Sequence, residues 1–148
     1  MGAWGVGPFD NDDAADWVYD LEGAEDLRLV RAALDFAATD DGYLDVNVGG
    51  VAVAAATVLA VCAGRIHADL PAPVTAWIAE RDPSATPADI RLAAAAIDRV
   101  LGRRSELMDL WKESNDTTSL DRTWALRRSL SDGPGRGQPR ADPTPSSA

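Results

Sequence analysis

Between Val46 and Gly64 the chain runs 19 residues without a charge. That stretch constrains the fold most, because an element apolar on every side must be buried on every side. Its length is near the ~20 residues that cross a bilayer. Its content argues otherwise: six Ala, three Gly, one Asn and one Thr stand beside a single Leu and no aromatic residue. Small side chains yield little transfer energy, and Asn47 is costly in hydrocarbon. The expectation is therefore no membrane span but a buried Ala-rich core helix over about Val48–Ala63. The β-branched residues leave a strand at Tyr43–Val48 as the alternative.

The rest of the composition points the same way. Alanine accounts for 27 of 148 residues, and strand-favouring Ile, Phe and Tyr are scarce. The length suits one domain. The expected fold class is all-α: a single compact bundle of five to six helices over residues 1–130, followed by a tail at 131–148. That tail holds three Gly, four Pro and no Val, Ile, Leu, Met or aromatic residue, a composition expected to be disordered. One Cys excludes an internal disulfide framework, and one His excludes the common multi-His metal sites.

Local signals set the helices out. Gly2, Gly5, Gly7 and Pro8 make residues 1–9 a loop. Asp10 or Asn11 caps the first helix, with Phe9 in a staple-like position and Ala14, Trp17, Val18 and Leu21 as its apolar stripe, up to Gly23. A second helix covers about Ala24–Thr39 and stops at Asp40-Asp41-Gly42. Pro71 and Pro73 open a short helix through Trp77 to Glu80. Thr86-Pro87-Ala88-Asp89 is a helix start with a cap, a first-position proline and an acid three residues after the cap. The helix that it opens is expected to continue to about Glu113, with Ile90, Ala94, Ile97, Leu101, Met108 and Trp111 on one seam. A last helix, about Ser119–Leu130, is expected to turn Leu120, Trp124 and Leu130 inward.

Charge is distributed unevenly. Residues 1–45 carry 12 acids against Arg28 and Arg31, net −10, whereas residues 46–148 carry 12 acids and 12 bases. At 100° per residue, Asp12, Asp13, Asp16 and Asp20 fall within a 100° arc opposite the Trp17 stripe. Asp12/Asp16 and Asp16/Asp20 are like-charge pairs one turn apart, each costing ~0.2–0.5 kcal/mol. Three readings stand: a solvated face; a face covered by Arg99, Arg103, Arg104, Arg127 or Arg128 of the C-terminal helices; or a docking face for a basic protein or a metal ion.

Few other residues carry chemistry. Asp10, Asp12, Asp13 and Asp16 offer hard oxygen ligands for Ca²⁺ or Mg²⁺, without the spacing of a calcium-binding loop. Cys62 and His67 cannot form a tetrahedral zinc site by themselves, and Cys62 reads as a small buried hydrophobe. Gly49-Gly50 lacks the spacing and the Lys of a phosphate loop. The basic residues are scattered over an acidic chain, so nucleic acid is not expected as a partner. Val6 stands where an N-myristoylation motif needs Ser or Thr. No basic, apolar leader is visible at the start, so the expected location is cytoplasmic.

The opening Met1-Gly2-Ala3-Trp4-Gly5-Val6-Gly7-Pro8-Phe9-Asp10-Asn11-Asp12-Asp13-Ala14-Ala15-Asp16-Trp17 resembles a bacterial family known as domain of unknown function 4259. The matching positions are Gly2, Ala3, Trp4, Gly5, Gly7, Phe9, Asp10, Asn11, Asp12, Ala14, Asp16 and Trp17, and the stretch Ser105–Trp111 is similar to the family as well. The resemblance covers about residues 1–130. It implies a small helical bacterial domain and carries over no catalytic residue. In such a start, Trp4 either closes the core or docks a partner, and core closure is the expected role because a Trp buries so much apolar area.

Taken together, the expected function is a non-enzymatic interaction module, immunity-like or regulatory, that binds a basic protein through Asp12, Asp13, Asp16, Asp20 and Trp4, with no cofactor. The alternative is a metal-dependent hydrolase or cation-binding protein using Asp10, Asp12, Asp13 and Asp16 with Ca²⁺ or Mg²⁺.

Overall fold

A computed structural model of the chain describes residues 7–131. Within them lie seven helices and no strand: α1 (Asp12–Glu22), α2 (Arg28–Ala38), α3 (Val46–Cys62), α4 (Ala72–Arg81), α5 (Pro87–Leu101), α6 (Glu106–Glu113) and α7 (Thr117–Ser129). The all-helical class agrees with the sequence. The helix number exceeds the expected five to six, because the single helix expected over Pro87–Glu113 is two.

The uncharged run forms the central element. In α3 every residue from Gly49 to Ala60 except Val51 is buried. The helix packs against α1, α2, α5, α6 and α7, which explains why it can carry no charge on any side. Among the described residues no helix is long and apolar enough to cross a membrane. The strand alternative at Tyr43–Val48 reduces to one parallel bridge, Leu44 to Ser105.

That bridge also explains the broken helix. The Leu44 N–H donates to Arg104 O at 2.7 Å, and the Glu106 N–H donates to Leu44 O at 2.9 Å. Arg104 adopts a left-handed φ of 60°, which a continuous α-helix does not allow. Ser105 then caps α6, its Oγ accepting from the Met108 N–H at 3.3 Å. Glu106 reaches across to accept the first N–H of α3, Val46, at 2.9 Å. The α2–α3 loop and the α5–α6 joint are thus built on each other.

The starts of the helices follow local chemistry. Asn11, not Asp10, caps α1, its Oδ1 accepting from the Ala14 N–H at 2.8 Å. Phe9 is buried ahead of it, and Ala14, Trp17, Val18 and Leu21 are the buried stripe, as expected. Helix α2 begins at Arg28, later than expected, because Asp26 accepts the Arg28 N–H at 3.0 Å and ends a turn there. The capping box of α5 is complete: the Asp89 N–H donates to Thr86 Oγ1 at 3.1 Å and the Thr86 N–H to Asp89 Oδ2 at 2.9 Å. On α7 the inward stripe is Ser119, Thr123 and Leu126, continued by Leu130. Trp124 is 44% exposed, against expectation, and Leu120 is half-buried. Small hydroxyl residues face the core instead, where Thr123 bonds its own helix through Ser119 O at 2.8 Å.

Two buried indoles differ in their polar end. Trp77 Nε1 donates to Ala24 O at 2.8 Å, tying α4 to the α1–α2 turn. Trp17 Nε1 is buried without a hydrogen-bond partner. Replacing an indole by a phenyl ring removes a satisfied donor in the first case and an unsatisfied one in the second. Trp77→Phe is therefore expected to cost about 1 kcal/mol more than Trp17→Phe in urea unfolding. An equal cost at the two sites would refute this.

Candidate functional site

The one charged surface singled out by sequence is the outer face of α1, and its geometry follows from the buried stripe. With Ala14, Trp17, Val18 and Leu21 facing the core, the outward direction runs through Asp12 and Asp16. Asp12, Asp16 and Asp20 are exposed and Asp13 is half-buried. Asp13 and Asp20 flank Trp17 on the helix surface, four residues before it and three after it. Asp10 is separate in role: its Oδ2 accepts the Gly7 N–H at 3.1 Å and closes the turn that leads into α1.

None of the ion pairs among the described residues uses these four aspartates. The pairs are Arg28–Asp26, Arg31–Asp89, Arg99–Asp40 and Arg127–Asp98. The internal-partner reading is overturned on this point. Arg99 is directed at the α2–α3 loop and Arg127 at α5, while Arg103, Arg104 and Arg128 are exposed. The field of the N-terminal acids is therefore open to solvent on α1.

Tyr19 belongs to this face and was missed by the sequence reading. It is 77% exposed, the most exposed large apolar side chain among the described residues. It lies three residues after Asp16 and seven after Asp12, so all three share one outward strip. The same helical projection that placed the aspartates would have placed it. An exposed aromatic ring rimmed by carboxylates is a surface for cations, since the ring face and the carboxylates both attract a guanidinium or ammonium group.

The other candidates separate in space or lie elsewhere. Among the described residues no three His, Cys, Asp or Glu side chains converge as metal ligands. Asp10, Asp12, Asp13 and Asp16 are therefore not gathered into a Ca²⁺ or Mg²⁺ site, for a physical reason: Asp10 is committed to the Gly7 turn and the others spread along a helix surface. Cys62 is half-buried at the end of α3, and burial pushes its thiol up to about 11, away from reactivity. His67 is exposed in a loop. Trp4 lies outside the described residues.

One family model matches the chain. Neither the curated proteins nor the solved structures hold a significant match to the chain. Residues 2–124 match the family described as Domain of unknown function (DUF4259), a span that takes in all of α1 through α6 and most of α7. The chain belongs to that family.

Proposed function

We propose that this protein is a non-enzymatic interaction module that docks a basic protein surface on the outer face of α1, in an immunity-like or regulatory role in the cytoplasm. The observation that carries the reading is the exposed strip Asp12, Asp16, Tyr19 and Asp20, which no cation among the described residues neutralises. A concentrated negative field accelerates encounter with a basic partner. An exposed aromatic side chain at the edge of the acidic strip supplies the short-range part of binding. The acids beside the ring would repel nucleic acid.

The test is salt-sensitive capture. The wild-type chain is expected to retain basic partners at low salt and release them at high salt. The Asp12→Asn, Asp16→Asn, Asp20→Asn triple variant is expected to retain none of them, and Tyr19→Ala to weaken retention without abolishing its salt dependence. The same partners held equally by the triple variant would overturn the proposal.

A further inference from the structure

A cavity apart from the outer face of α1 lies where the α1–α2 turn meets the connection between α4 and α5. Its volume is about 110 Å³, and charged and hydroxyl side chains line it beside Leu27 and Pro83. One carbonyl organises the place. Ala24 O accepts from Trp77 Nε1 at 2.8 Å and from Arg81 Nε at 3.1 Å, which draws the last turn of α4 onto the turn after α1. Asp82 then adopts a left-handed φ of 44° and redirects the chain, and Pro83 and Ser84 line the cavity beyond it. Arg31 of α2 lines the same cavity on its way to Asp89 at the start of α5.

The charges of this lining are only partly matched within the chain. Asp26 is paired with Arg28, and Arg31 with Asp89. Glu25 and Arg81 line the cavity as well, are exposed, and enter no ion pair among the described residues, with each other or with any other group. Glu25 reaches Arg28 only through its field. Arg81 uses Nε on Ala24 O, so its Nη1 and Nη2 make no hydrogen bond among the described residues, and neither does Ser84 Oγ. The fork of a guanidinium matches a carboxylate, and the Glu25 carboxylate matches an ammonium group. The net charge of −10 decides between ligands: a free anion is repelled by the chain as a whole, whereas a zwitterion is not. Size narrows the choice further, since sites for larger ligands measure roughly 300–1,000 Å³. We propose that this cavity binds a small α-amino acid, with its carboxylate on the Arg81 fork and Ser84 Oγ and its ammonium group on Glu25.

Titration of the full chain with alanine, followed through backbone amide NMR shifts, tests this. Propionate and ethylamine are the controls, because each keeps one charge of alanine and drops the other. Both charged partners are exposed, so binding in the millimolar range is expected. Alanine is expected to move the amides of Glu25, Leu27, Arg81 and Ser84 to saturation, and each control to bind about tenfold or more weakly. The Glu25 side chain makes no hydrogen bond among the described residues, so Glu25→Gln keeps the fold, which circular dichroism checks. That variant is expected to bind alanine no better than propionate. Arg81→Lys, which keeps the charge and loses the fork, is expected to weaken alanine and propionate alike. The Asp12→Asn, Asp16→Asn, Asp20→Asn variant is expected to bind alanine as the wild type does, which separates this cavity from the α1 face. No saturable shift with alanine, propionate bound as tightly as alanine, unchanged alanine binding in Glu25→Gln, or shifts centred away from the α1–α2 turn would each overturn the proposal.

Discussion

Replacing Arg31 by Met is expected to destabilise the protein by about 2–3 kcal/mol. Arg31 grips Asp89 with two bonds, Nε to Oδ1 at 2.7 Å and Nη2 to Oδ2 at 3.1 Å. The Asp89 side chain is only 7% exposed, and the same carboxylate caps α5. Removing the guanidinium strands a buried charge at the start of α5, and breaking a buried pair costs about 3–5 kcal/mol. Arg31 itself is 40% exposed, which lowers the figure. Arg28, in contrast, pairs with Asp26 in the open, so Arg28→Met is expected to leave stability unchanged.

The pH dependence of that loss has a definite sign. The Arg31 hydrogen bonds hold the Asp89 carboxyl below its ordinary value, against the opposing effect of burial. A depressed carboxyl stabilises the fold fully above its unfolded pKa, near 4, and the contribution is lost as pH falls through the lower folded value. The gap between wild type and Arg31→Met is therefore expected to be full at neutral pH and to close in acid below about pH 4. Urea unfolding at a series of pH values measures it. A gap under about 1 kcal/mol at neutral pH, or one that widens in acid, would be incompatible with this account.

The second large effect is expected at Arg99. Its guanidinium donates to Asp40 O at 2.9 Å, to Arg103 O and Arg104 O at 3.2 Å each, and to Gly42 O. Asp40 Oδ1 lies 3.6 Å away. One side chain therefore satisfies carbonyls of both the α2–α3 loop and the α5–α6 joint, and it is 16% exposed. Charged hydrogen bonds of this kind contribute about 1.5–3 kcal/mol each, not additively. Arg99→Met is expected to cost about 3 kcal/mol and to speed amide exchange at Leu44 and Glu106, whose N–H groups form the bridge beside it. Unchanged exchange at those two amides would show that the joint holds without Arg99.

What the sequence revealed, and what it hid, divides by the range of the interactions. The Asn11 cap, the Trp17 stripe, the Thr86–Asp89 capping box and the uncharged Val46–Gly64 run, buried at its middle, rest on neighbours within a turn or two. Periodicity and capping chemistry make such features visible. The break between α5 and α6 does not have a local cause strong enough to read. Gly102 hinted at a bend, but the left-handed Arg104 is sustained by Leu44, some 60 residues away along the chain, and by the carbonyls that Arg99 collects. Trp124 was misplaced for a related reason. Apolar residues on α7 suggested one inward face, whereas packing against α3, α5 and α6 selected the smaller Ser119 and Thr123. The aspartates of α1 stand where helical projection puts them, and Tyr19 follows from the same projection, although a charge pattern alone does not mark it.

If the exposed α1 acids hold no part of the fold together, removing their charge should not weaken it. Urea unfolding of the Asp12→Asn, Asp16→Asn, Asp20→Asn variant, at low and high salt, measures this directly. An unneutralised face predicts a variant as stable as the wild type or up to about 1 kcal/mol more stable at low salt, since two like-charge pairs are relieved, with the difference shrinking as salt screens it. A variant that is instead destabilised by more than about 1 kcal/mol would mean that these carboxylates already have partners within the chain, and the docking face would be lost.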